Sequence, residues 1–127
     1  SSDVCSSDLR CLGGLDIAAL AGVCLGGALN RVPVLLDGFI SAAAALAAVR
    51  MCPACGAYLL ASHVSKEPAG MLVLDALGLK PLICAEMCLG EGTGAVAAMP
   101  LLAMALAVYD EMRTFEEIDV AAYTPQS

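Results

Sequence analysis

Between Asp16 and Arg113 the chain alternates two kinds of apolar pattern. In the stretch IAALAGVCLGGAL, residues Ile17, Leu20, Ala21, Cys24, Leu25 and Ala28 recur at the spacing that lines one face of an α-helix, with Asp16 placed to cap it and Asn30 to end it. Pro33 prevents continuation, and Val32 to Leu36 (VPVLL) is a continuous rather than alternating run, as in a strand covered on both faces. The cycle then repeats. A helix is predicted from about Ser41 to Met51, stopped by Cys52-Pro53, and a strand from Tyr58 to Ala61. A third helix follows over Pro68 to Leu77, with proline in its first turn and Gly78 just past its end. A strand over Pro81 to Ala85 leads into a long helix from Ala95 to Arg113 that contains Pro100. Short strands separated by helices of about ten residues argue for parallel βαβ units. The predicted class is therefore α/β: part of a mostly parallel, Rossmann-like, three-layer sheet domain with flanking helices.

In such sheets the carboxyl ends of the strands share one edge, and ligands bind there. Three polar strand ends would form that rim: Asp37-Gly38-Phe39, Ser62-His63-Val64-Ser65 and Leu89-Gly90-Glu91-Gly92-Thr93-Gly94. The last surrounds a single carboxylate with glycines at the start of a helix. Free N–H groups and the helix dipole could make it an anion cradle, although it is neither a GxGxxG nor a GxxxxGK[ST] loop. Glu91 is the candidate proton acceptor. A tight turn carrying an incidental exposed acid is the competing reading.

Composition narrows the partners. The 127 residues are 60% apolar but only 4% aromatic, with no Trp, so the core should form by close approach of small-faced elements. A net charge of -7 disfavours nucleic acid and anionic membrane surfaces and leaves small molecules or protein. The acids between Asp110 and Asp119 read as a solvated end. Gly92 to Tyr109 carries no charge over the minimum span of a membrane helix, about 18 residues; its Gly, Thr and Pro residues favour a glycine loop feeding a buried helix, with Met99, Met104 and Met112 filling core gaps. Seven cysteines, an odd set in apolar company without a signal peptide, point to reduced thiols and a cytoplasmic location. Cys52-Pro53-Ala54-Cys55 offers half a four-thiolate zinc site, and the other pair, Cys84 and Cys88, has a three-residue gap and a strand-to-loop setting, so no metal is predicted. The CPAC pair also follows a helix end rather than beginning a helix, against a redox role. His63, the sole histidine, reads more readily as a hydrogen-bonded structural residue than as a base. Residues 1–9 contain DVCSSDL, the translation of a common sequencing-adapter oligonucleotide, and are expected to be non-native; residues 10–127 form the domain segment.

The strings GGLDIAALAG, VPVLLDGFISAAAALAA, YLLASHVSKEPAG, LDALGLKP and AEMCLGEGTGAVAAMPLLAMALAVYDEM, in that order from Gly13 to Tyr123, closely resemble the C-terminal part of the nicotinate-nucleotide:dimethylbenzimidazole phosphoribosyltransferase (CobT) family. The resemblance implies transfer of the phosphoribosyl group of nicotinate mononucleotide to 5,6-dimethylbenzimidazole, giving alpha-ribazole phosphate and nicotinate for the lower ligand of cobalamin. It implies Glu91 as the acid/base, Leu89 against the aromatic base, and Gly90, Gly92, Gly94, Asp37, Gly38 and Ser62 as substrate-binding positions, with Lys66 the nearest cation. It further implies small-molecule substrates, no cofactor or metal, no nucleic-acid or membrane partner, and a homodimer at full length. A segment equal to the last third of such an enzyme is expected to be inactive alone. Two other readings stay open: a non-catalytic nucleotide-binding α/β module, and a hydrophobic interaction or membrane-associated protein.

Overall fold

The computed structural model describes residues 6, 9, 14–64, 68–85, 87, 91–114 and 117–118. The expectations placed on 1–5, on Cys11, on Ser65 and Lys66, on 88–90 and on the acidic Glu116 and Asp119 lie outside them. In chain order the elements are α1 (Leu15–Asn30), β1 (Val34–Leu36), α2 (Phe39–Met51), a 3-10 helix (Pro53–Tyr58), β2 (Leu59–His63), α3 (Pro68–Leu77), β3 (Pro81–Ile83) and α4 (Thr93–Glu111). The strands form one parallel sheet in the order β1-β2-β3, with Leu36 opposite Ala61 and His63 opposite Ile83. The α/β class read from the pattern is the architecture observed.

Element ends differ where capping, rather than periodicity, decides them. Helix α1 is capped by Gly14, and Asp16 falls inside its first turn rather than before it. At its other end Asn30 stays helical and donates from Nδ2 to the Gly26 carbonyl at 2.8 Å. Arg31 adopts the left-handed conformation (φ 57°), its N–H bonding to Ala28 O, while the Val32 N–H reaches Gly27 O at 2.8 Å. Helix α3 ends in the same Schellman pattern with Gly78 in that position (φ 68°), where Gly78 N–H meets Asp75 O and Leu79 N–H meets Leu74 O. The CPAC segment departs from expectation: Cys52 ends α2 and also precedes the 3-10 helix, with Pro53 at its first position.

The core is built of small residues. Ala42, Ala44, Ala45 and Ala48 of α2 are buried, and this alanine face lets α1 and α3 pack closely on either side of it. Central β2 is covered almost throughout, whereas Leu82 of edge strand β3 is exposed. Cys55 is buried and its Sγ donates to the Cys24 carbonyl at 3.3 Å. Burial first, and then the neighbouring thiol, pushes both Cys24 and Cys55 above the usual thiol range. Fewer thiolates form there, which disfavours redox chemistry at that pair.

Helix α4 corrects the sequence reading. Only Gly94 and Ala98 near its start are buried; Met99 (59% exposed), Met104 and Met112 fill no core gap, and Tyr109 is 85% exposed. By length and composition it is long and apolar enough to cross a membrane, but its first turns pack against β2. Beyond Ala98 most of its residues are exposed among the described residues.

Two predictions test this packing in a full-length protein carrying the segment. A Cβ at Gly27 would lie 2.9 Å from Val32 O and collide with Val34 Cγ2, whereas Gly22 and Gly26 face open space. Gly27→Ala should therefore destabilise by about 1–3 kcal/mol while Gly26→Ala stabilises by about 0.5–1 kcal/mol, read from urea unfolding midpoints; equal shifts would contradict the close helix-to-strand approach. Exposed Cys52 and Cys84 should alkylate before buried Cys24 and Cys55 under native conditions, as mass spectrometry of a timed quench would show.

Candidate functional site

Strand β1 delivers Asp37 to the carboxyl edge of the sheet, and Ser41 in the first turn of α2 fixes the turn there. Its Oγ accepts from the Asp37 N–H at 2.9 Å and the Gly38 N–H at 3.1 Å, and donates to Gly38 O at 3.0 Å. Held this way, the Asp37 carboxylate meets the start of α4: Oδ2 accepts from the Gly92 N–H at 3.0 Å and Oδ1 from the Ala95 N–H at 2.8 Å. Gly92 is the N-cap of α4 and Ala95 its third residue. These are the two donors that a local capping box would satisfy, here served by an acid far back in the chain. A carboxylate at a helix amino end stabilises by about 0.3–1 kcal/mol when exposed and up to about 2 kcal/mol when partly buried.

Glu91 immediately precedes this tie. It is exposed and left-handed (φ 63°), followed by Gly92 at φ 83°. A residue with a Cβ costs about 1–2 kcal/mol in that conformation, a cost that must be offset by its surroundings, and such residues gather at functional sites. The Asp37 bonds to the next residue and to the helix beyond supply that offset.

Between the two ends lies His63, the last residue of β2, only 4% exposed. The fully buried Ser62 donates from Oγ to Leu36 O at 2.6 Å and lies 3.0 Å from His63 Nδ1. Because the hydroxyl proton is engaged by a carbonyl, the Nδ1–H of the ring donates to Ser62 Oγ, an assignment made from the network. The ring lies so close to Gly94 that a Cβ there would run into it, while a Cβ at Gly38 would stand 3.6 Å from Cε1. The imidazole also lines a small apolar cleft with Leu36, Phe39, Ala42 and Leu74.

The structure thus gathers Asp37, Gly38, Ser62, Glu91, Gly92 and Gly94 at one rim; Leu89 and Gly90 lie outside the described residues. It changes what several of them do. The amides of Gly38 and Gly92 are already bonded to Ser41 and Asp37, so the expected anion cradle is filled by the protein's own carboxylate. Ser62 turns inward to Leu36 and His63 instead of facing a ligand. These residues build the rim, and Glu91 is a polar side chain exposed on it. Ser41 escaped the sequence reading, although its position three residues after the N-cap Gly38 is the signal of a side chain reaching back to a helix start. Among the described residues no group of three or more His, Cys, Asp or Glu could hold a metal.

Comparison with known proteins agrees with this architecture. A phosphoribosyltransferase family model matches residues 3–120. The chain is 48% identical over 114 residues to a nicotinate-nucleotide–dimethylbenzimidazole phosphoribosyltransferase of Ruminiclostridium cellulolyticum, covering 90% of this chain and 32% of that protein. With the protein of the same name from Chloroflexus aggregans it shares 54% over 110 residues, covering 87% and 31%. Among solved structures, the phosphoribosyltransferase of that name from Thermus thermophilus superposes with a TM-score of 0.80 at 46% identity, over 88% of this chain and 34% of that one. The chain therefore spans about a third of the length of the relatives it matches. Sharing their sequence and their fold across nearly all of its own length, it belongs to the phosphoribosyltransferase family of these nicotinate-nucleotide–dimethylbenzimidazole enzymes.

Proposed function

We propose that the full-length protein carrying this segment transfers the phosphoribosyl group of nicotinate mononucleotide to 5,6-dimethylbenzimidazole, releasing nicotinate and alpha-ribazole phosphate for the lower ligand of cobalamin, with Glu91 as the base. The observation that carries the reading is the exposed Glu91 carboxylate, held in a left-handed backbone beside the Asp37-tied helix start in a chain of this family. Benzimidazole is a poor nucleophile until its N–H proton is removed. Glu91 accepts that proton as the other ring nitrogen forms a bond to the anomeric carbon. The bond from that carbon to the pyridinium nitrogen breaks, its electron pair neutralising the ring of the departing nicotinate. Attack opposite the leaving ring turns a beta nucleoside linkage into an alpha one, and no step requires oxidation or reduction.

Internal bonding of the Gly38 and Gly92 amides weakens the alternative of a nucleotide module that binds through its glycine loop. Leu89 is proposed to lie against the aromatic base and Gly90 and Gly94 to border the ribose and phosphate, on a rim that Asp37, Gly38, Ser62 and Gly92 hold together. The same reading makes the full-length protein a cytoplasmic homodimer acting on small molecules, not on nucleic acid or in a membrane.

In the full-length protein Glu91→Gln should lower benzimidazole-dependent nicotinate release by about 10²- to 10⁴-fold, with binding of nicotinate mononucleotide by calorimetry unchanged. Turnover at the parent rate would remove Glu91 as the base. Asp37→Ala should cost about 1–2 kcal/mol in urea unfolding and lower kcat with it, since the left-handed Glu91 loses its anchor; a variant as stable and as fast as the parent would contradict the tie.

A further inference from the structure

We infer that His63 is a positioning residue for the proposed reaction: its ring, wedged against Gly94, sets the height of the α4 start above the sheet rim and thereby the place of Glu91. The inference rests on Glu91 acting as the base. Three observations support it. First, His63 cannot easily move, because Nδ1 is tied to Ser62, whose hydroxyl is tied in turn to the β1 backbone at Leu36. Second, the ring meets the helix where it has no side chain: a Cβ on Gly94 would overlap Nδ1, Cε1 and Cγ, so glycine is the residue that lets the helix seat on the imidazole. Third, Asp37 pulls the same helix turn toward β1 through Gly92 and Ala95, the residues on either side of Thr93 and Gly94. One contact draws the helix start down and the other stops it. Glu91 sits one residue before the first of these anchor points, so displacing the stop moves its carboxylate directly.

The geometry predicts non-additivity. Enlarging Gly94 should lift the helix start off an immovable ring, and removing the ring should let it settle back. In the full-length protein, Gly94→Ala should lower kcat by about 10²-fold, the scale of a misplacement near 1 Å. Adding His63→Ala should recover about tenfold of that loss, a rescue that additive independent damage would not give. Should Gly94→Ala fail to fold, His63→Asn serves instead: its amide keeps Cγ, an atom in the place of Nδ1 and the bond to Ser62, but removes Cε1, the ring atom that stands against both Gly38 and Gly94. It should lose kcat by about tenfold, a factor that corresponds to roughly 1.4 kcal/mol in the barrier, without a matching rise in KM. A fully active Gly94→Ala, a double variant no faster than Gly94→Ala, or a His63→Asn whose loss lies wholly in KM or is absent would overturn the inference. Glu91→Gln run alongside separates the two claims. If it turns over normally, the base assignment fails and the inference with it; if it is inactive while the His63 and Gly94 variants behave as wild type, only the positioning role falls.

Discussion

The rim depends on one carboxylate that has been taken away from any ligand. Asp37 leaves the end of β1 and accepts hydrogen bonds from Gly92 and Ala95, so the loop after β3 is anchored across the sheet to the strand on its far side. Without that anchor Gly92, at the head of α4, would have less to hold its left-handed conformation, since glycine loses more freedom on ordering than any other residue. With it, two orphan donors at the helix start are satisfied and the strain of the left-handed Glu91 is offset by its neighbours.

The rest of the rim serves that tie. Ser41 fixes the Asp37-Gly38 turn through three hydrogen bonds. Ser62 links the β1 backbone to the His63 ring, and the ring occupies the space between Gly38, just past the end of β1, and Gly94, in the first turn of α4. Polar residues buried at the edge of an alanine-rich core are tolerable because each has its partner: among the described residues no buried side-chain nitrogen or oxygen lacks one. Glu91 stands exposed on the rim, and the proposed proton transfer would fall to it, while the buried groups beside it do the holding.

The opposite end of α4 behaves differently. Its first turns lie on β2, and beyond Ala98 the helix is apolar on sides that face solvent. Patches of that kind mark contact surfaces. The matched relatives are about three times as long as this chain, and the helix is the element on which the segment is least self-sufficient.

Much of the fold was legible in the pattern of residues because local physics sets it. Proline in the first turn and glycine beyond the end bounded α3 to the residue, and helical spacing placed α1, α2 and α4 within a few positions. Uninterrupted aliphatic runs marked parallel strands, although β1 proved shorter than its run and β2 extended through His63. Glu91 stood out by residue type amid glycines. The sequence could not assign the other rim residues, since hydrogen-bond partners such as Asp37 and Ala95 lie 58 positions apart and a lone polar residue looks the same whether it faces substrate or a helix amide. Nor could it separate a buried apolar helix from an exposed one, as α4 shows, because composition reports what a side chain prefers and only packing reports what lies beside it. Local geometry determined the elements; tertiary contact decided that Asp37, Ser62 and His63 build the rim and that Glu91 remains open upon it.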